Sequence, residues 1–395
     1  MKIIDEAMAI KEETIQTRRD LHRHPELGLE EIRTAGIVAE RLKELGLEVA
    51  TGIGKTGVVG LLRGAKETPV LLLRFDMDAL PIMEETGVDY ASQNPGKMHA
   101  CGHDSHVAVG LSTARILATR KETLPGTIKF VFQPGEEGAG GAELMVKDGI
   151  LEKPKVDYSL AMHVWNDQPV GWYGLTPGPL MAGAQIFSVK ITGKGGHAAS
   201  PHLSVDPVVA SAQIITALQS IISRNIHPLE SAVVSVCKME TGSAFNIIPQ
   251  EATFSGTIRT FKADVFDNVY DRFQSIVHSI AEGMGCHAEI QLERITYPVV
   301  NDPNLVEIMS DVVRTLDPAS QISSDFQTMG SEDFSFMMQE IPGCFIMVGS
   351  ANHEKGLDYG HHHPKFDIDE SCLPYAVAMI AQGAIEILHQ DPHSK

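Results

Sequence analysis

Residues 70–78 read VLLLRFDMD, a continuous apolar run that ends in two aspartates, Asp76 and Asp78. A strand with one face in water alternates apolar and polar residues, whereas a strand buried on both faces is apolar throughout. The run therefore predicts a central strand of a sheet that helices cover. Similar short runs alternate with helical stretches, which favours an α/β fold. They occupy residues 57–62, 127–132 and 158–164.

The hydrophobic pattern changes between residues 183 and 296, where one-sided alternation replaces the continuous runs. Strands and helices follow there in the order β-α-β-β-α-β, which is typical of a ferredoxin-like domain. The predicted strands are residues 185–192, 232–239, 251–261 and 286–292, and the predicted helices are residues 206–224 and 262–284. Because the continuous pattern returns afterwards, we predict that 183–296 is inserted into a larger domain of residues 1–182 and 297–395.

Composition limits the possible partners of the chain. Its 395 residues are 43% hydrophobic, enough for a sizeable core, and its formal net charge is −19. Nucleic acids and anionic membranes require a basic surface, so neither is an expected partner. An anionic substrate stays possible, because the charge inside a site can oppose the overall charge.

Two further features favour a cytoplasmic protein. Residues 1–13 are acidic and lack the apolar stretch of a targeting segment, and no apolar run approaches the about 18 to 20 residues of a membrane span. The five cysteines are odd in number and irregularly spaced, as in a reduced protein without disulfides.

Residues 99–106, HACGHDSH, carry the clearest chemical signal. Three histidines, a cysteine and an aspartate lie within eight residues, just before an apolar helix predicted at residues 107–117. Thiolate and imidazole groups are typical ligands of zinc and related metals. The alternative interpretation is a buried cysteine beside helix-capping residues.

Residues 133–138, QPGEEG, directly follow the predicted strand 127–132. The carboxyl ends of strands are where open α/β sheets place their sites. One of the adjacent carboxylates, Glu136 and Glu137, can bind a metal while the other acts as general base toward an activated water. The alternative is a solvated charge pair in a turn.

Three weaker signals complete the pattern. Asp76 and Asp78 follow the strand of residues 70–75, where a carboxylate can orient a metal-bound histidine or simply cap a loop. His163, alone on an apolar strand, is a ligand or a core residue. Residues 360–364, GHHHP, supply a ligand or form a flexible loop. Most of these clusters sit at or just after buried strands, and together they offer Cys, His, Glu, His and His.

In these segments the chain resembles the metal-dependent aminoacylase and carboxypeptidase family of zinc metallopeptidases. Its branch holds hippurate hydrolase, indole-acetyl-amino-acid hydrolase and N-acetyldiaminopimelate deacetylase. The resemblance covers nearly the whole chain and rests on a specific set of motifs in order. They are RRDLH (18–22) with PEL (25–27), DMDALP (76–81), HACGHD (99–104), QPGEE (133–137), GGHAA (195–199) and HHP (362–364).

The resemblance implies a site for two divalent metal ions. Cys101 would bridge both ions as a thiolate. His103 and His163 would complete one ion, and Glu137 and His362 the other.

The branch differs from the wider family at the metals themselves. The wider family has a metal-binding histidine at position 76 and a bridging aspartate at position 101. Here these residues are Asp76 and Cys101, and the branch gains His103. Zinc suits a thiolate, and manganese, cobalt or nickel are also compatible.

The same resemblance implies the catalytic and substrate-binding residues. Glu136 would be the base and Asp78 the carboxylate that orients the site. His197 would reach into the partner subunit's site and stabilise the oxyanion, and Asn246 and Arg259 would hold a substrate carboxylate. From its strand pattern alone, Arg259 is on a polar face, as a carboxylate clamp or as a surface arginine. His197 in its glycine-rich loop could also be an ordinary turn residue.

The resemblance implies a hydrolase of N-acyl-L-amino acids, such as N-acetyl or N-benzoyl derivatives. A carboxypeptidase or dipeptidase acting on short peptides is the alternative. A binding protein of the same fold without catalysis would be expected to lack a ligand, and all five are present. The inserted domain would serve as a lid and dimerisation surface, giving a homodimer or a homotetramer.

Overall fold

The structure, a computed structural model, describes residues 2–390 and consists of two compact units. The first contains residues 2–180, Val300–Gln327 and 333–390. The second contains Met181–Val299 and Thr328–Glu332. The sequence pattern does not single out Thr328–Glu332 from the surrounding residues of the larger domain.

Nine α-helices and sixteen β-strands lie within the described residues. The helices are α1 (Ile3–Ala9), α2 (Lys11–Arg23), α3 (Ile32–Glu44), α4 (His103–Ala118), α5 (Gly141–Lys147), α6 (Pro207–Asn225), α7 (Ala263–Gly283), α8 (Pro303–Leu316) and α9 (Leu373–Leu388). The strands are β1 (Glu48–Ile53), β2 (Gly57–Arg63), β3 (Val70–Asp76), β4 (Thr127–Gln133), β5 (Tyr158–Pro169), β6 (Trp172–Gly174), β7 (Gly178–Met181), β8 (Gly183–Thr192), β9 (Gly196–His197), β10 (Ala232–Thr241), β11 (Ile247–Ile248), β12 (Glu251–Thr260), β13 (His287–Arg294), β14 (Val299–Asn301), β15 (Gln321–Ser323) and β16 (Gly343–Ala351).

The first unit is built on an eight-stranded mixed sheet in the order β1-β2-β4-β3-β5-β16-β6-β15. The four central strands β4, β3, β5 and β16 run parallel. Strand β1 is antiparallel to β2, β2 to β4 and β6 to β16, and the edge strand β15 is parallel to β6. Every residue of β3, β4 and β16 is buried, and helices α4 and α9 pack against β3 and against each other. The prediction of a helix-covered α/β sheet is therefore confirmed.

The register of the parallel strands determines where the site lies. Asp76, the last residue of β3, pairs with Gln133, the last residue of β4. On the other side of β3, Arg74 pairs with Ala161, so Asp76 is level with His163 two residues further along β5. The segments after β3 and β4 thus start at the same edge of the sheet, beside His163.

The second unit has the predicted ferredoxin-like order β8-α6-β10-β12-α7-β13. Its four strands form an antiparallel sheet in the order β10-β12-β8-β13, and α6 and α7 pack on it. Buried residues alternate with half-buried ones along most of β12, as the sequence pattern predicts. Helix α6 begins with Pro207, and the Asp206 side chain accepts the N–H groups of Val208 and Val209.

Two local features differ from the sequence-based expectation or add to it. Helix α4 begins at His103, four residues before the predicted start, so that the HACGHDSH motif enters the helix. The preceding Gly102 has a φ of 87°, in the left-handed region that favours glycine. Segment Glu370–Leu388, which contains α9, is long and apolar enough to span a membrane, but 72% of its apolar window is buried inside the protein.

Candidate metal centre

The thiol of Cys101 lies where two groups of possible metal ligands meet. Its Sγ is 3.4 Å from Nε2 of His163. The ligand atoms of Cys101, His103 and His163 all lie within 4.8 Å of one another, and so do those of Cys101, Glu137 and His362. The structure thus brings together the five residues for which the sequence predicts metal binding, with Cys101 common to both groups.

Asp78 connects the two groups from behind. Its Oδ1 lies 3.2 Å from Nδ1 of His103, and its Oδ2 accepts the backbone N–H of Glu137 at 2.9 Å. The carboxylate is buried, so both contacts are shielded from water. One side chain therefore fixes the histidine of one group and the glutamate segment of the other.

His163 and His106 have different functions in this arrangement. Nδ1 of His163 donates to its neighbour's carbonyl, Val164 O, at 2.6 Å, which leaves Nε2 directed at Cys101. Nε2 of His106 accepts the Val164 N–H at 3.1 Å, so its Nδ1 carries the proton and donates to Asp76 at 2.5 Å. Although Asp76, His103 and His106 cluster within 4.8 Å, both nitrogens of His106 are occupied, and it supports the strand rather than offering a ligand.

The glutamate pair follows β4 in a tight turn. Oε1 of Glu137 lies 3.2 Å from Nε2 of His362, whose backbone is left-handed with a φ of 65° and whose N–H donates to Ala100 O at 2.8 Å. Glu136 is half-buried, and its carboxylate lies within 4.8 Å of the ligand atoms of His103 and Glu137. The candidate base is therefore adjacent to both donor groups.

His361 is a neighbour of the thiol that the sequence analysis did not single out. Its Nδ1 lies 3.8 Å from Cys101 Sγ, and its Nε2 accepts the N–H of Asn166 at 3.3 Å. Its ring packs against Trp165 with the centroids 5.1 Å apart. Its only sequence signal was the run of three histidines, of which the resemblance singles out His362.

The charges around the thiol favour a bound cation. Burial and the carboxylates of Glu137 and Glu136 raise the pKa of the Cys101 thiol well above its ordinary value. Burial lowers the pKa of His163 well below its usual range, which keeps that imidazole neutral. Burial also opposes the charge on His103, but Asp76 and Asp78 outweigh it and raise its pKa to about 10. A thiolate here thus requires compensating positive charge.

One orphaned atom agrees with this conclusion. Nε2 of His103 is buried and makes no hydrogen bond to any residue between positions 2 and 390. Buried polar atoms are otherwise nearly always paired. With thiol, imidazole and carboxylate donors in two groups, the site fits two divalent metal ions.

The remaining predicted site residues lie in the second unit. His197 on β9 pairs with Ile247 on β11, and Ala198 N–H donates to Asn246 O at 3.1 Å, so His197 and Asn246 lie on adjacent segments. Both are exposed. Arg259 is half-buried on β12, and its Nη1 donates to Met329 O at 3.2 Å.

The mixed sheet and the two thiol-centred donor groups define a metalloprotein with a dinuclear site. A family model described as Peptidase family M20/M25/M40 matches residues 72–385, and the chain belongs to that family. It is 35% identical, with a TM-score of 0.86, to a crystal structure described as a dinuclear metal binding peptidase of the M20 family from Bacillus subtilis. That match covers 97% of this chain and all of the other.

Two sequence relatives extend over the whole chain. The chain is 37% identical over 391 residues to N-acetyl-L-cysteine deacetylase of Bacillus subtilis (strain 168), covering 98% of this chain and 91% of the relative. It is 38% identical over 389 residues to thermostable carboxypeptidase 2 of Saccharolobus solfataricus, covering 98% of each protein. This family membership identifies the chain as a hydrolase of amide bonds.

His22, which the sequence analysis did not count among the ligands, is a buried charged residue beneath the site. Its Nδ1 lies 2.8 Å from Asp104 and its Nε2 3.3 Å from Glu84. Burial alone would lower its pKa, but the hydrogen bonds to Asp104 and Glu84 outweigh burial and raise the pKa to about 9.

We predict that His22 makes the stability of the fold depend on pH. Because its folded-state pKa exceeds the ordinary value of about 6.5, its contribution is complete below that pH and is lost as the pH rises through about 9. The unfolding free energy of the wild type should therefore exceed that of His22→Gln by an amount that shrinks between pH 6.5 and 9, by at most about 3 kcal/mol. Urea unfolding across this range measures it, and parallel curves for the two proteins would refute it.

Proposed function

We propose that the chain is a metal-dependent amidohydrolase that converts N-acyl-L-amino acids, such as N-acetyl or N-benzoyl derivatives, into a carboxylic acid and a free amino acid. The observation that carries the proposal is the thiol of Cys101 shared by two donor groups, with Glu136 beside both. The deacetylase relative supports an N-acyl substrate. The carboxypeptidase relative supports a second candidate, cleavage of short peptides.

Two divalent ions, which we propose to be zinc, would supply Lewis acidity. They would polarise the amide carbonyl and lower the pKa of the attacking water. Cys101 would hold both ions. His103 and His163 would complete one ion, and Glu137 and His362 the other. The neutral state of His163 and the free Nε2 of His103 support this assignment.

Glu136 would be the general base. It would take a proton from the attacking water and return it to the amide nitrogen as the C–N bond breaks. Its half-buried position next to His103 and Glu137 supports this role, because it needs access to both water and substrate. Asp78 would keep His103 and Glu137 in position during the reaction.

The second unit would recognise the amino-acid half of the substrate. Arg259 would hold the α-carboxylate together with Asn246, and His197 would stabilise the oxyanion. Arg259 is half-buried, and one nitrogen of its guanidinium donates to Met329 O. The other nitrogens leave donors for a ligand. An N-acyl amino acid and a peptide share that carboxylate, so these residues suit either candidate substrate.

We further propose that residues 183–296 act as a lid and dimerise, giving a homodimer or a homotetramer. Strand β10 is an edge of its sheet, and its residues 237–241 are exposed. Edge strands in monomers are normally protected, and a two-fold partner would cover this one.

The five cysteines are all free thiols within the described residues, which supports a cytoplasmic location.

The proposed reaction predicts different losses at the two neighbouring glutamates. The activity assay uses N-acetyl, N-benzoyl and indole-acetyl amino acids and matched dipeptides as substrates, with zinc, manganese, cobalt or nickel added. Glu136→Gln should keep two metals per chain and lose at least about 10²-fold in kcat, because the amide cannot accept a proton. Glu137→Gln should lose bound metal as well as activity.

Elemental analysis together with kcat distinguishes the two variants. If metal content falls in Glu136→Gln and not in Glu137→Gln, the roles of the two residues are reversed. Faster cleavage of every dipeptide than of its N-acyl counterpart would favour the carboxypeptidase. Absence of hydrolysis in a fully metal-loaded wild type would refute both.

If His197 acts in the active site of the partner subunit, mixing two inactive variants should restore activity. His197→Ala and Glu136→Gln are each expected to be inactive. In a mixed dimer one site carries both defects and the other carries neither. Random exchange makes half of the dimers mixed, so about a quarter of wild-type activity should return. Proven subunit exchange without any recovery would contradict action in trans.

A further inference from the structure

The RRDLH motif of residues 18–22 has no part in the reaction proposed above, yet its first arginine is completely buried. Arg18 on α2 uses each of its three guanidinium nitrogens on a different carboxylate. Nε donates to Asp104 at 2.9 Å, Nη2 to Asp367 at 2.5 Å and Nη1 to Glu370 at 3.1 Å. Such an arrangement fixes two separate chain segments, at residue 104 and at residues 367–370, to one planar group on α2.

Two of these carboxylates belong to the segments that carry metal-site histidines. Asp104 directly follows His103 in the first turn of α4. Asp367 ends the segment that starts at His361 and His362, and its other oxygen accepts the Tyr90 hydroxyl at 2.6 Å. Arg18 therefore connects the segment that carries His103, in one donor group, to the segment that carries His362, in the other.

The segments of His103 and His362 differ in the other contacts that hold them in place. His103 is in a helix, and its ring contacts Asp78. His362 lies outside any helix or strand, in a left-handed conformation, and its side chain is 53% exposed. Asp367 is one of the anchors of this segment, beside the backbone bonds of His362 N–H to Ala100 O and of Glu85 N–H to Pro364 O and the two bonds that the Asn166 side chain donates to Tyr359 O and Asp367 O. Loss of the Arg18 contact should consequently displace His362 more than His103.

We propose that Arg18 is a positioning residue that sets the separation of the two halves of the metal site. It should control the affinity for the ion assigned to Glu137 and His362 more than for the ion assigned to His103 and His163. This inference rests on the ligand assignment of the proposed function. It adds a role for a side chain that itself touches neither metal nor substrate.

The adjacent arginine provides a matched control. Arg19 donates through Nε and Nη2 to Glu370 alone, and its side chain is 29% exposed. Arg18 and Arg19 thus share one carboxylate, but only Arg18 reaches Asp104 and Asp367. Replacing either residue with lysine keeps the charge and removes the planar fork.

The experiment measures cobalt binding to metal-free Arg18→Lys, Asp367→Asn, Arg19→Lys and wild-type protein. Wild type and Arg19→Lys should bind two ions per chain. In Arg18→Lys and Asp367→Asn, the affinity for one ion should fall by about 10-fold or more, as substitutions behind metal ligands typically cause. The other ion should keep its affinity and the thiolate-to-cobalt absorption of Cys101.

Thermal unfolding of the metal-free proteins reports any general loss of structure. If Arg18→Lys does not fold, Asp367→Asn, which removes the negative charge opposite Arg18, carries the test. Equal weakening of both ions would overturn the proposal and leave Arg18 a purely structural residue. Unchanged binding of both ions would overturn it as well.

Cobalt binding does not require catalysis, so the inference and the proposed function fail separately. A wild type that binds two ions but hydrolyses no amide would refute the function alone. A hydrolytically active wild type whose Arg18→Lys variant binds both ions normally would refute the positioning role alone.

Discussion

A buried thiol among carboxylates is the constraint on which the rest of this structure depends. Burial and the two adjacent glutamates raise the pKa of the Cys101 thiol well above its ordinary value, so a thiolate there requires compensating positive charge. Divalent ions satisfy that requirement, and histidines and a carboxylate surround the sulfur in two groups. The architecture of the first unit can be understood as the means of placing these donors around one atom.

Three levels of structure achieve this placement. Parallel register puts the ends of β3 and β4 level with His163. Asp78 then joins the histidine of one donor group to the glutamate of the other. Farther out, charged side chains such as Arg18 anchor whole segments. Each level is buried, so its hydrogen bonds are not weakened by competition with water.

Much of this could be predicted from the sequence, because the hydrophobic patterns that indicate it are local. The apolar run of β3 indicated a sheet buried on both faces, and the alternation in β12 indicated a ferredoxin-like unit. The predicted start of α4, at residue 107, was wrong. The helix begins at His103, after a left-handed glycine and without a side-chain cap. Helix-start signals depend on capping residues, and none precedes this helix.

Other features depend on contacts that a single sequence does not reveal. The resemblance singled out His362 among three successive histidines, but only the fold reveals that His361, bonded to Asn166, also lies beside the thiol of Cys101. The partners of Arg18 lie 86, 349 and 352 residues away along the chain.

Anomalous diffraction from zinc-loaded crystals, recorded on both sides of the zinc absorption edge, tests the central claim most directly. Our account predicts two peaks roughly 3.5–4 Å apart, with Sγ of Cys101 about 2.3 Å from each. A single peak, or two peaks of which only one lies within bonding distance of that sulfur, would contradict it.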